Sequence, residues 1–126
     1  MRILVIDDDK STRCLIAEPL RCAGHQVAVA ADGVSGMRLI SKEQPDLVIT
    51  DILMPDQDGF GLIMATRREW PAAKIIAISG GGAVGTLDLL VTASRLGADD
   101  TLTKPIMPTE LLDRVSRCVP KDELAS

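Results

Sequence analysis

The side chains best suited to chemistry in this 126-residue chain are acids that directly follow apolar runs. The run "ILVI" leads into Asp7, Asp8 and Asp9, and the run "DLVIT" leads into Asp51. Three adjacent carboxylates repel one another and resist desolvation unless a cation lies among them. The cluster is therefore either a solvated loop or a metal site, and we expect Asp9 to cap the helix that follows it.

Two further apolar runs also end in a polar side chain. "KIIAI" ends in Ser79, and "TLT" ends in Lys104, which precedes Pro105. Taken singly, Ser79 fits a turn, Lys104 an exposed surface and Asp51 a solvated loop. Taken together, these groups suit phosphoryl transfer, in which carboxylate oxygens hold Mg²⁺, another carboxylate is the nucleophile, and an ammonium and a hydroxyl offset the phosphate charge.

An alternation of apolar and amphipathic segments predicts the elements that would bring these groups together. Apolar runs predict five strands, at residues 3–6, 27–30, 47–50, 75–78 and 101–103. Helical spacing, caps and prolines predict five helices, at about 10–22, 33–44, 60–69, 84–96 and 108–119. Five βα units without a repeat or a linker predict one α/β domain, a doubly wound parallel sheet whose ligands bind at the carboxyl ends of its strands.

Composition restricts the classes of protein that the chain can belong to. A net charge of −4 with scattered Lys and Arg argues against direct binding of nucleic acid, and no apolar run is long enough to span a membrane. Cys14, Cys22 and Cys118 show no CxxC spacing and lie in helical, apolar patterns. They predict buried, reduced thiols in a cytoplasmic protein.

Four motifs in combination strongly resemble the receiver domains of two-component response regulators. They are "ILVIDDD" with Arg13 after it, "DLVITDILMPDQDG", "IIAISG" and "GADDTLTKPI", and the resemblance covers the chain from Arg2 to about Val119. It implies a flavodoxin-like five-stranded sheet of order 2-1-3-4-5, a receiver domain at 1–120 and a short polar tail at 121–126. A stand-alone regulator and a piece of a longer protein both fit this sequence.

The resemblance also implies which residues react. Asp51 matches the phosphoacceptor, Ser79 the switch hydroxyl, and Lys104 the lysine that pairs with phosphate. The bond from Lys104 to Pro105 is expected to be cis. Thr101 stands where many receivers carry an aromatic ring, so a read-out by ring rotation cannot operate here in its usual form.

The metal ligands are implied in the same way. Asp7 and Asp8 match the acidic pair of the family, since Arg13 then falls on the arginine of the first helix. With Asp51 and the backbone carbonyl of Leu53, they match a set of Mg²⁺ ligands, in which the first acid usually acts through a water.

The function implied is a phosphorylation-dependent switch rather than a turnover enzyme. A sensor histidine kinase or a histidine phosphotransfer protein would donate the phosphoryl group, and an effector would bind the face made by helix 4, strand 5 and helix 5. On helix 4, the core side chains expected are Leu87, Leu90 and Val91. The exposed ones expected are Thr86, Asp88, Thr92 and Arg95.

Other interpretations explain less of the sequence. A phosphatase of the haloacid dehalogenase type would use a strand-one nucleophile in a DxD motif, which Asp7 and Asp9 satisfy, but it leaves "TDILMPDQDG" unexplained. A degenerate receiver that only binds a partner would lack an acid or the lysine, and none is missing. Gly80 and Gly85 have the spacing of a phosphate-binding loop, but Thr86 stands where that loop needs lysine.

Overall fold

The computed structural model describes residues 1–54, 57–80 and 86–118, and for residues 53–54, 57–58 and 86–90 it describes the backbone alone. Within these residues, seven strands run in chain order: β1 (Arg2–Ile6), β2 (Gln26–Ala30), β3 (Leu47–Asp51), β4 (Leu53–Met54), β5 (Gln57–Asp58), β6 (Lys74–Ser79) and β7 (Asp100–Thr103). Five of them form a parallel sheet of order β2-β1-β3-β6-β7, while β4 and β5 pair with each other as a short antiparallel hairpin. The predicted 2-1-3-4-5 order is confirmed for the five parallel strands, and the hairpin was not predicted.

Five helices connect the strands of the parallel sheet. They are α1 (Lys10–Cys22), α2 (Gly33–Glu43), α3 (Gly59–Glu69), α4 (Thr86–Leu96) and α5 (Pro108–Ser116). Asp9 and Asp32 are the N-caps of α1 and α2, and Pro108 occupies the first turn of α5, as the sequence predicts. Residues 84–85 of the predicted fourth helix, residue 119 of the predicted fifth helix and the tail at 121–126 lie outside the described residues.

The core lies on both faces of the sheet, which is why its central strands are apolar without interruption. All five residues of β3 are buried. Ile49 packs with Leu20 of α1 and Leu111 of α5 on one face, while Val48 packs with Ile40 of α2 and Leu62 of α3 on the other. Successive side chains of a strand point to opposite faces, so a strand covered by helices on both sides has no solvent-facing position.

Two expectations about buried side chains are wrong, and helical geometry explains both. Cys14 and Cys22 are exposed and only Cys118 is buried. Each exposed cysteine lies two residues from a buried position, Ile16 or Leu20, and two residues are about 200° of rotation around a helix.

The same geometry applies to α4. Val91, expected in the core, is 43% exposed, whereas Ala93 two residues later is fully buried. Thr92 and Arg95 are exposed as expected. The side chains of Thr86, Leu87, Asp88 and Leu90 lie outside the described residues.

Candidate functional site

The parallel sheet brings the predicted residues to one edge. Asp7 directly follows β1, Asp51 ends β3 and Ser79 ends β6, and these three strands are adjacent in the sheet. Lys104 directly follows β7, whose Thr103 is in register with Ser79. Because all the strands run in the same direction, their carboxyl ends meet at the same edge.

Lys104 bridges two of the acids. Its Nζ lies 3.0 Å from Oδ2 of Asp51 and 3.3 Å from Oδ2 of Asp7. Asp7 is fully buried and Asp51 is 4% exposed, whereas the lysine side chain is 27% exposed. A single ammonium therefore offsets two carboxylates that the fold withdraws from water.

Neighbouring groups fix the position of Asp7. The backbone N–H of Asp9 donates to Oδ1 of Asp7 at 2.9 Å, and Nη1 of Arg13 donates to the backbone carbonyl of Asp7 at 2.7 Å. The sequence singled out Arg13 only by its spacing, and the structure shows that it holds the backbone at the end of β1.

Burial and neighbouring charges shift the pKa values of Asp7 and Lys104. Burial raises the pKa of Asp7, and the nearby charge of Asp51 adds to that effect, although the Asp9 amide and the ammonium of Lys104 oppose it. Burial alone would lower the pKa of Lys104, but its hydrogen bond to Asp51 and the charges of Asp51 and Asp7 outweigh burial and raise it. Asp7 is therefore a costly charge in the metal-free site.

Asp9 does not belong to the cluster. Its carboxylate accepts hydrogen bonds from Ser11 N at 3.2 Å and from Thr12 Oγ1 at 2.8 Å, and these bonds lower its pKa. The expectation that Asp9 caps α1 is confirmed. A DxD phosphatase would need this carboxylate in the reaction centre, so the geometry argues against that alternative.

The acids fit a divalent cation. Asp7, Asp8 and Asp51 each present a carboxylate oxygen, and these oxygens lie within 4.8 Å of one another. Oδ2 of Asp7 is buried, and apart from the ammonium of Lys104 at 3.3 Å it has no partner among the described residues, so it has capacity for a ligand. Asp8 is exposed, which leaves room for the waters that Mg²⁺ retains. Leu53 starts β4 two residues after Asp51, and its backbone pairs with that of Asp58.

Ser79 and the segment after β7 complete the site. Ser79 Oγ is buried and has no hydrogen-bond partner among the described residues. The backbone carbonyl of Ser79 accepts a hydrogen bond from Lys104 N at 2.8 Å, which ties the ends of β6 and β7 together. The peptide bond from Lys104 to Pro105 is cis, as expected.

Gly59, at the start of α3, packs against the backbone at the end of β3, a role that the sequence did not predict. A Cβ added there would lie 2.4 Å from the carbonyl oxygen of Ile52 and 2.7 Å from that of Asp51. The signal for it was the Asp58–Gly59 pair in "DLVITDILMPDQDG". Glycine lets the helix start directly beneath the chain that leaves β3.

Comparison with known proteins identifies the family of this chain. A family model described as the response regulator receiver domain matches residues 3–116. The chain belongs to the response regulator receiver family. Receiver domains are signalling switches of two-component systems, and they act with histidine kinases and effector domains.

Curated relatives of this receiver domain are transcriptional regulators. The probable transcriptional regulator ycf27 of Galdieria sulphuraria is 39% identical over 118 residues, which cover 94% of this chain and 44% of the relative. The DNA-binding dual master transcriptional regulator RpaA of Synechocystis sp. is 39% identical over 114 residues, covering 90% and 47%. The chain spans half or less of the length of such relatives.

Solved receiver domains share the whole fold. The CheY-like receiver domain protein of Methanospirillum hungatei superposes with a TM-score of 0.87 at 28% identity, covering 99% of this chain and 98% of that one. The receiver domain of NtrX from Brucella abortus gives 0.86 at 32% identity, covering 92% and 96%. Within the described residues of this receiver domain, no helix has the length and apolar character that crossing a membrane requires.

Proposed function

We propose that Asp51 accepts a phosphoryl group from a phosphohistidine on a sensor kinase or a histidine phosphotransfer protein. The observation that carries the proposal is the convergence on Asp51 of a lysine ammonium 3.0 Å away and a second buried acid, Asp7, at the sheet edge where the hydroxyl of Ser79 is buried without a partner among the described residues. The arrangement supplies a nucleophile together with groups that can offset the charge of a phosphoryl group.

The transfer balances with one bond formed and one broken. A carboxylate oxygen of Asp51 forms the new O–P bond while the N–P bond to the donor imidazole breaks, and the imidazole nitrogen takes up a proton. Hydrolysis switches the protein off: water attacks phosphorus, the O–P bond to Asp51 breaks, and inorganic phosphate leaves. The chain catalyses only its own modification, which makes it a switch.

Asp7, Asp8, Asp51 and the backbone carbonyl of Leu53 would hold Mg²⁺. When bound, Mg²⁺ neutralises charge on the transferring oxygens. The residues themselves orient the site: Asp7 is fixed by the Asp9 amide, and Lys104 holds one oxygen of Asp51 in place.

The phosphorylated state would engage Ser79 and Lys104. Ser79 Oγ is already buried without a partner among the described residues, so a phosphoryl oxygen gives it a hydrogen-bond acceptor at little desolvation cost. Lys104 would pair with the same phosphoryl group in place of one carboxylate. Ser79 ends β6, which precedes α4, and Lys104 directly follows β7, which precedes α5. The population shift would therefore reach the α4–β7–α5 face.

That face is the surface we propose for the effector. Thr92 and Arg95 of α4 are exposed on it, and Thr101 of β7 is half-buried and carries no ring. Because curated relatives include a regulator described as DNA-binding, we propose that the output is transcriptional and passes through an effector rather than through nucleic acid bound by the receiver domain. We place the reaction in the cytoplasm, where exposed free thiols such as Cys14 stay reduced.

Intact mass after incubation with acetyl phosphate tests the proposed acceptor. The wild-type chain should gain one phosphoryl group when Mg²⁺ is present, and it should gain none when EDTA replaces Mg²⁺. Asp51→Asn should gain none under either condition. Asp113→Asn, which removes the same charge from an exposed position on α5, should be labelled like the wild type.

Labelling that persists in Asp51→Asn would place the nucleophile elsewhere and contradict the proposal. Labelling of the wild type that is equal with and without Mg²⁺ would contradict the metal-ligand part of it alone.

A further inference from the structure

Arg67, near the C-terminal end of α3, donates hydrogen bonds to three backbone carbonyls outside its own helix. Its Nη1 donates to the carbonyls of Pro71 and Ala73 at 3.0 and 2.8 Å, and its Nη2 donates to the carbonyl of Gly97 at 2.6 Å. The guanidinium thus joins the α3–β6 connection to the residue that follows α4.

Asp99 extends this link into the parallel sheet. Its Oδ2 accepts from Nη2 of Arg67 at 2.7 Å and from the backbone N–H of Ile75 at 2.8 Å. The backbone N–H of Asp99 donates in turn to the carbonyl of Ile75 at 2.7 Å. One carboxylate oxygen therefore connects α3, the start of β6 and the segment that leaves α4.

Gly97 allows the guanidinium to approach this closely. Its φ of +132° lies in the region that favours glycine, and a Cβ there would lie 3.3 Å from Nε of Arg67. The next residues continue the packing, since Ala98 donates from its N–H to the carbonyl of Ala93, and both alanines belong to the core between α3 and α4. The C-terminal end of α4 is therefore held by the guanidinium of Arg67 and by the backbone hydrogen bonds of Ala98 and Asp99.

The two ends of α4 have different surroundings. The C-terminal end is held by Arg67, whereas the N-terminal end lies on the side of β6 that ends in Ser79. We propose that Arg67 is a positioning residue that fixes the C-terminal end of α4, so that a phosphoryl group on Asp51 changes α4 only at the end nearer to Ser79. The second half of this inference rests on the proposed function.

Hydrogen exchange of the metal-free protein tests the anchor by itself. In Arg67→Ala, the amides of residues 97–99 should exchange about tenfold faster than in the wild type, because charged hydrogen bonds to several carbonyls are lost. Arg67→Lys should behave similarly, since one ammonium keeps the charge but cannot reproduce the planar fork that reaches four acceptors. Arg68→Ala is the matched control: the side chain of Arg68 is 76% exposed and pairs with its chain neighbour Glu69 at 3.7 Å, so exchange at residues 97–99 should match the wild type.

Equal exchange at residues 97–99 in Arg67→Ala and Arg68→Ala would overturn the anchor. Thermal melts followed by circular dichroism show which variants are folded. Should Arg67→Ala not fold, Arg67→Lys carries the same comparison.

A second arm adds Mg²⁺ and beryllofluoride, a phosphoryl analogue, to the same variants. In the wild type, exchange should change at Ser79 and in residues 86–91 but not at residues 97–99. In Arg67→Ala, the change should extend to residues 97–99. A wild-type response of equal size at both ends of α4, or an unchanged pattern in Arg67→Ala, would overturn the positioning role.

Failure of the proposed function has a different signature. It would show as no response to beryllofluoride anywhere in the wild type and no phosphoryl gain from acetyl phosphate. Even then, hydrogen exchange of Arg67→Ala and Arg68→Ala in the metal-free protein still shows whether Arg67 holds the C-terminal end of α4.

Discussion

The buried carboxylate of Asp7 destabilises the metal-free protein when it is charged. It is fully buried, its Oδ2 lies 3.3 Å from the ammonium of Lys104, and that ammonium is shared with Asp51. One cation cannot fully compensate two buried carboxylates, so the pKa of Asp7 is raised, with burial as the largest cause. Because Lys104 alone offsets the charges of Asp7 and Asp51, these two proposed Mg²⁺ ligands destabilise the protein when Mg²⁺ is absent.

Replacing Asp7 by Asn should stabilise the metal-free protein at pH 7. A carboxyl whose pKa is raised on folding contributes stability below its ordinary value of 3.8 and loses that contribution as the pH rises through the raised value. Asn stays neutral and avoids this loss. We expect Tm to rise by about 4 °C for each 1 kcal/mol gained, with the advantage shrinking toward pH 3, as measured by calorimetry in EDTA.

Asp8→Asn is the control for this substitution, because it removes the same charge from an exposed carboxylate. It should change Tm much less. An Asp7→Asn protein that is less stable than the wild type at pH 7 would show that the carboxylate of Asp7 is a net stabilising charge, against the prediction.

At the scale of elements, the first residues of the helices do much of the positioning. Asp9 and Asp32 cap α1 and α2 with their carboxylates, and Gly59 lets α3 begin in close contact with the end of β3. Each of these helices starts at the edge of the sheet where the acids lie. The strands therefore supply the reactive residues, and the helix starts determine how closely the connecting segments approach them.

Gly59→Ala should destabilise the domain by about 1–3 kcal/mol, the usual range for overpacking. The new Cβ would lie 2.4 Å from the carbonyl oxygen of Ile52, which is backbone and cannot rotate away. Urea unfolding measures the loss. In Gly80→Ala the added Cβ has no heavy atom of the described residues within 4 Å other than those of its chain neighbours, so the free energy of unfolding of this variant should stay near that of the wild type. Equal stabilities of the two variants would contradict the steric argument.

Asp32→Ala should lower Tm at pH 7 by roughly a few degrees, because Oδ1 of Asp32 accepts the backbone N–H of Ser35 at 2.7 Å. This hydrogen bond is the main cause that lowers the pKa of Asp32. A lowered pKa gives stability that is present above the ordinary value of 3.8 and is lost as the pH falls through the folded-state value. The difference between wild type and Asp32→Ala should therefore vanish in strong acid.

Asp32→Asn separates the hydrogen bond from the charge, since Asn also caps helices but does not titrate. It should melt near the wild type at pH 7 and should not lose its cap in acid. A difference between Asp32→Ala and wild type that is independent of pH would count against a capping carboxylate.

At the scale of the whole molecule, the site depends on a rigid sheet that is packed on both faces. β3 is buried throughout and carries Asp51 at its end, and its neighbours β1 and β6 carry Asp7 and Ser79. Interiors packed to crystal-like density do not deform gradually. Binding at the site is thus coupled to global stability, because the ligands exist as a set only when the sheet is formed.

Mg²⁺ should accordingly raise the free energy of unfolding, by about 2.7 kcal/mol at one hundred times its dissociation constant. Trp70 is the sole tryptophan, is partly buried against the core and donates from Nε1 to the carbonyl of Pro45 at 3.0 Å, so its fluorescence reports global unfolding. EDTA should reverse the gain, Asp51→Asn should reduce it, and Asp113→Asn should retain it. Stabilisation that survives in Asp51→Asn at full size would place the cation elsewhere.

The sequence by itself determined the order of the five helices and of the five strands of the parallel sheet, and which polar residues follow those strands. Continuous apolar runs mark strands buried on both faces, and Asp9, Asp32 and Pro108 mark helix starts, since these signals depend on local backbone chemistry. The resemblance to receiver domains added the expected roles of Asp51 and Lys104, which remain proposals.

Only the tertiary structure decided what depends on contacts between distant segments. Local periodicity placed Cys14, Cys22 and Val91 in the core, but the face of a helix that is buried is chosen by what it packs against. The ammonium of Lys104, shared by Asp7 and Asp51, and the contacts of Arg67 with Gly97 and Asp99 likewise join segments far apart in the chain. Distances of this kind are set by how the sheet and helices pack, and no spacing in the sequence encodes them.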